Sequence, residues 1–146
     1  YDEGWGRRIN EAIDSGLNAE AAIARTVGTS DDPISQNLRE LSDALDSDAV
    51  ELAELCEGAG SYACHSIPYV AALLCGRAWE FEDGVIAAVS GGGDTDTNGA
   101  IVGAVLGTAH GLKKLPRRFA DKVEETEVIR EVGAALGALA EARSGN

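Results

Sequence analysis

Apolar residues recur along this chain at intervals of three and four and never alternate with polar ones over a useful length, the signature of amphipathic helices rather than strands. In WGRRINEAIDS, Trp5, Ile9, Ala12 and Ile13 share one helical face, and Asn18 caps a following helix that carries Ala21, Ala22, Ile23 and Val27 and stops at Gly28. After the polar loop TSDDP, Leu38, Leu41 and Leu45 mark a helix from about Ser35 through Leu45, and Asp48 caps the next one in AVELAELCEG. In HSIPYVAALLCG, Pro68 suits the first turn of a helix, where its missing N–H is not needed, and Gly76 suits the end. Helices from Glu80 to about Val89 and from Asn98 to His110 flank a glycine-rich knot, and a long helix from about Ala120 or Glu125 to Ala142 closes the series. The expectation is an all-α chain without internal repeats or linkers: residues 1–146 form a single all-helical domain or the C-terminal part of one.

The helix after the knot carries Gly99, Gly103, Gly107 and Gly111, one every four residues and hence along one face. Glycine in a helix interior costs roughly 1 kcal/mol relative to alanine, so the stripe needs a compensating reason. Close approach of another backbone supplies one, with the helix N-terminus held rigidly as a consequence.

Composition narrows the functional classes. With 45% hydrophobic residues the chain can bury one core. No run of about 18 apolar residues is present, which argues against a membrane span, and no basic-then-apolar N-terminal stretch reads as a signal peptide. Twelve basic residues against 25 acidic ones give a formal charge of −13, and no Lys/Arg cluster matches a run of phosphates, so duplex nucleic acid is not an expected partner. Cys56, Cys64 and Cys75 are odd in number and match no zinc spacing; reduced thiols in a cytoplasmic protein account for them. The sequence starts at Tyr1 and contains no methionine, which suggests a piece of a longer chain.

The knot itself, SGGGDTDTNG from Ser90 to Gly99, holds the candidate chemistry. Asp94, Asp96, Asn98 and Gly99 fit positions 1, 3, 5 and 6 of an EF-hand loop, but position 12 is Val105, which supplies no oxygen. A bare phosphate cradle lacks a lysine, and two carboxylates repel the anion. A hard divalent cation fits better, because Asp94 and Asp96, one residue apart in an extended turn, aim at one centre and Thr97 adds a hydroxyl; such oxygen ligands select Mg²⁺, Mn²⁺ or Ca²⁺ over zinc or copper. Taken alone, D-x-D-T reads first as an ordinary helix cap, with Asp96 or Thr97 bonded to the first-turn N–H groups.

The surroundings favour the metal. GGDTDT, followed by a small-residue helix ending in His110-Gly111 and then Leu115-Pro116, resembles the C-terminal signature of the ADP-ribosylglycohydrolase family, the relatives of dinitrogenase reductase-activating glycohydrolase. EGAGSYACHSIPYVAALL and EFEDGVIAAVSGGGDTDT look like that family's preceding segments, and the resemblance runs from about Glu51 to Pro116. It implies an orthogonal all-helical domain with two Mg²⁺ or Mn²⁺ ions at a cleft mouth, where Asp94, Asp96 and Thr97 bind metal and Thr95 orients the turn. It further implies hydrolysis of the glycosidic bond in ADP-ribosylated proteins or small ADP-ribose conjugates. Asn98 stands where the family commonly has a small or aliphatic residue.

The family's other half-site, a G-D-A-x-G segment and a threonine followed by two aspartates, has no match here, and the catalytic acid is expected in that missing N-terminal region. Thr29-Ser30-Asp31-Asp32-Pro33 has the right residue types but lies too close to the knot, and reads as a solvated loop. The N-terminal remainder of the same enzyme is thus an expected partner, and a non-catalytic, crystallin-like relative is the rival expectation. His65 and His110 read as packing or dipole partners. Cys64-His65-Ser66 cannot form a nucleophilic site, since adjacent residues do not face one another. Trp5, Trp79 and Phe81 are expected in the core, and Glu124, Glu125 and Glu127 beside Arg130 on a solvated helix face.

Overall fold

A computed structural model describes residues 11, 14–16, 18–19, 34–76 and 79–144. Among the described residues there are helices and turns and no strand. In chain order these are α1 (Ile34–Glu40), α2 (Ala49–Leu55), α3 (Ala63–Gly76), α4 (Phe81–Ser90), α5 (Thr95–His110), a short α6 (Arg117–Ala120) and α7 (Thr126–Ser144). Asn18, expected as an N-cap, is helical, as is Gly16. The rest of the first two expected helices, with Trp5 and with Thr29 to Pro33, lies outside the described residues.

Local chemistry explains most of the ends. Asp48 caps α2 as expected, its carboxylate accepting from the N–H groups of Val50 and Glu51 at 2.9 Å each. The helix expected through Leu45 ends at Glu40 and tightens into a 3₁₀ turn over Leu41–Asp43, which puts Leu41 into the core. Pro68 corrects its expected place: α3 begins five residues earlier, at Ala63, so the proline lies inside the helix rather than in its first turn. The proline deprives the Cys64 carbonyl of its helical donor. Asn37 of α1 replaces that donor, its Nδ2 bonding to the Cys64 oxygen at 2.8 Å. One sequence exception thereby becomes a tie between two helices.

The core gathers Leu52 and Ala53 of α2, Tyr69, Leu73 and Leu74 of α3, Ala88 of α4, and Val102 and Leu106 of α5 around Trp79. Full burial of a Leu, Val or Phe-sized side chain stabilises by roughly 1.5–3 kcal/mol, and Tyr69, Leu52, Leu73, Leu106 and Val102 all reach it. The polar tips in this core have partners. Tyr69 Oη donates to the Ala88 carbonyl at 3.0 Å, and Trp79 Nε1 to the Leu73 carbonyl at 2.8 Å. Phe81 packs partly buried against the core and meets Phe119 edge to face.

The glycine stripe of α5 faces α4, and what it meets there is side chain, not backbone. A Cβ on Gly103 would sit 3.6 Å from Val85 Cγ2, one on Gly107 3.7 Å from Phe81 Cε2, and one on Gly99 2.7 Å from Val89 Cγ1. Gly111, the last of the series, ends the helix with φ of 72°. The seam is therefore tight at its knot end and ordinary farther along. Beyond it, α7 carries Val128, Ile129, Val132, Leu136 and Leu139 in helical register, each more than half exposed. Glu124, Glu125 and Glu127 are exposed, and Arg130 pairs with Glu127 at 3.6 Å.

All three cysteines are free thiols, and Cys56 is buried. Burial pushes the Cys56 thiol from its ordinary value of 9.0 up to about 11, and raises the Tyr69 phenol from 10.0 to about 12 with added repulsion from Cys56. Between 9.0 and about 11 the folded chain keeps a proton that the unfolded chain has lost, so this contribution to stability is complete below 9.0 and disappears as pH rises through about 11. The expected loss is roughly 1 to 3 kcal/mol. Thermal melts at pH 8 and pH 10.5 should show a drop in midpoint that Cys56→Ala reduces; equal drops in both proteins would assign it elsewhere.

Candidate metal-binding knot

Two turns meet to form the site. The first follows α2, where Glu57, Gly58 and Ala59 have φ of 51°, 85° and 48° in succession. For the two residues with a Cβ this conformation costs about 1–2 kcal/mol each, and it persists only where neighbours over-determine it. The neighbour is the second turn. Gly93, with φ of 70°, lies so close that a Cβ there would strike the carbonyl oxygens of Gly58 and Ala59. The Asp94 N–H then donates to the Ala59 carbonyl at 3.1 Å.

From this anchor the chain enters α5 at Thr95, three residues before the expected start. Asp94 occupies the N-cap with φ −84° and ψ 71°, and its side chain makes no capping bond. Asp96 and Thr97 fall in the first helical turn, not in an extended turn as expected. The neighbouring Asp94 side chain, with the backbone N–H groups of Thr97 and of Asp96 itself, holds the Asp96 carboxyl below the usual carboxylate range. The cap reading is thus partly realised, by Asp96 alone.

Carboxyl oxygens at a helix start beside an exposed threonine hydroxyl are the donors that a hard divalent ion takes. In donor type the pair fits such an ion. In number it falls short, since among the described residues no group of three or more His, Cys, Asp or Glu side chains gathers. Asp31 and Asp32 lie outside the described residues.

The remaining candidates are structural. His110 Nε2 bonds to the Trp79 carbonyl at 2.8 Å, as a packing residue should. His65 lies 3.6 Å from Glu57 and edge-on to Tyr62, while Ser66 is buried with its hydroxyl directed to the Tyr62 carbonyl. Cys64, His65 and Ser66 therefore share no common centre. The EF-hand position 12 residue, Val105, packs against the core. Sequence reasoning missed two participants, Ala59 and Asn98. Asn98 is fully buried, its Nδ2 donates to the Ala59 carbonyl at 3.0 Å, and its Oδ1 has no partner. The available signal was an amide on the same helical face as Val102 and Leu106, where an apolar residue belongs.

The chain belongs to the ADP-ribosylglycohydrolase family, whose model matches residues 4–146. It is 29% identical over 125 residues to the ADP-ribosylhydrolase ARH3 of Mus musculus, covering 74% of this chain and 33% of the relative. To the ADP-ribosylhydrolase ARH3 of Bos taurus it is 28% identical over 125 residues, covering 74% of this chain and 34% of that protein. The chain thus spans about a third of the length of these curated relatives. No solved structure matches it. Among the described residues no helix is long and apolar enough to cross a membrane.

Proposed function

We propose that this chain supplies part of the active site of a cytoplasmic hydrolase that cleaves the glycosidic bond of ADP-ribosylated proteins or small ADP-ribose conjugates. The observation that carries the reading is the placement of Asp94 at the N-cap and of Asp96 and Thr97 in the first turn of α5, in a chain of this family. Asp94, Asp96 and Thr97 are the residues that would hold Mg²⁺ or Mn²⁺. Metal ions held there would supply orientation of ribose hydroxyls and of a water near the anomeric carbon. The chain's own contribution is to place the two carboxylates at the N-terminus of α5, where the dipole favours negative charge. Thr95 orients the turn between them.

The remaining ligands and the catalytic acidic group belong in this reading to the N-terminal remainder of the enzyme. A non-catalytic, crystallin-like relative is the second reading, and the two-carboxylate set among the described residues is what favours it. The test is release of free ADP-ribose from an ADP-ribosylated protein or a small ADP-ribose conjugate with Mg²⁺ or Mn²⁺ present. Release that Asp94→Asn or Asp96→Asn lowers by two orders of magnitude or more is expected; no release by the complete enzyme from any such substrate would leave only the non-catalytic reading.

A further inference from the structure

We propose that Asn98 is the positioning residue of the aspartate pair, a buried amide that clamps the strained Glu57–Ala59 turn to the start of α5 and so fixes where Asp94 and Asp96 point. The inference rests on the metal-site reading of that pair. Its basis is a closed circuit of three hydrogen bonds. The Asp94 N–H and the Asn98 Nδ2 both donate to the Ala59 carbonyl, at 3.1 Å and 3.0 Å, and the Asn98 N–H donates to the Asp94 carbonyl at 2.9 Å. Ala59 and Asn98 are both wholly inaccessible to solvent, so no water competes for these groups. Asp94 is thereby held on both sides of its Cα, so the circuit fixes the non-helical N-cap backbone from which its carboxyl projects, at the start of the turn that carries Asp96.

The unpartnered Oδ1 of Asn98 points to function rather than to stability. A buried acceptor without a donor is unfavourable, and a leucine of similar volume would remove it while filling the same space in the core. Asn98 makes no contact with a reacting group; it acts through Ala59. The left-handed turn at Glu57, Gly58 and Ala59 completes the device, because it turns the Ala59 carbonyl inward, where both donors converge.

Asn98→Leu, and Asn98→Ala as a second variant in case leucine overpacks the site, separate a positioning role from a structural one through two readouts. In the metal-free chain, amide hydrogen exchange followed by NMR should show Asp94 exchanging at least about tenfold faster in the variants, while Val102 and Leu106 in the body of α5 keep their protection. Mn²⁺ alone, titrated by calorimetry, should bind about 10- to 100-fold more weakly, the usual effect of losing a group that supports a ligand. Wild-type protection at Asp94 in both variants, or unchanged Mn²⁺ affinity, would overturn the proposal. Equal loss of protection at Asp94, Val102 and Leu106 would also overturn it, since that marks general unfolding. If the unaltered chain takes up no Mn²⁺, the knot is a half-site that needs the N-terminal remainder, and the exchange result at Asp94 alone decides the clamp.

Discussion

Replacing Asp94 and Asp96 together by alanine is expected to remove Mn²⁺ uptake by this chain while leaving its thermal midpoint nearly where it was. Among the described residues no group of three or more His, Cys, Asp or Glu side chains gathers, so the variant loses both carboxylates of the motif and has no other acidic cluster to take the cation. Folding should hardly notice. Asp96 is exposed and Asp94 makes no capping bond, so the substitution removes solvated charge from the N-terminus of α5 and no packed or hydrogen-bonded cap. Calorimetry with Mn²⁺ on both proteins measures the first effect and a thermal melt the second. Uptake by the unaltered chain should itself be weak, because two carboxylates leave most of the coordination sphere to water. Tight uptake that the double variant loses would mean that this chain completes its own site, with Asp31 and Asp32 or a second subunit as the source of further ligands. Undiminished uptake by the double variant would place the ion elsewhere and remove the metal assignment.

What the sequence discloses and what it hides divide along a physical line. Period and punctuation are local, and they locate α2, α3, α4, α5 and α7 to within a few residues, together with the Asp48 cap and the burial of Trp79. The pair Asp94 and Asp96 is legible for the same reason, as two carboxylates beside glycines at a helix start. Tertiary ties are not. Nothing local to Pro68 shows that a side chain from α1 occupies the carbonyl it leaves unbonded, so its place inside α3 escapes a local reading. The glycine stripe announces close packing but not its partner, and the partner is a row of side chains on α4. Asn98 stands out as unusual within the motif, yet its meaning depends on Ala59, 39 positions away in the chain.

Gly93→Ala is expected to lower stability by roughly 2–4 kcal/mol, the sum of two separable effects. One is conformational: φ of 70° is open to glycine and costs alanine about 1–2 kcal/mol. The other is steric, because the new methyl would meet the carbonyl oxygens of Gly58 and Ala59, which are backbone atoms in a turn already held in the left-handed region. For a domain of this size the thermal midpoint should fall on the order of 10 °C. Gly92→Ala is the matched control, since it has φ of 89° but nothing within 4 Å of where its methyl would stand, and it should lose only the conformational part. A smaller stability loss for Gly93→Ala than for Gly92→Ala would mean that the two turns are not in contact. If they are, Gly93→Ala pushes the Ala59 carbonyl away from the Asp94 N–H, and Mn²⁺ uptake should weaken alongside stability. Gly92→Ala, which leaves that hydrogen bond in place, should bind Mn²⁺ as the unaltered chain does.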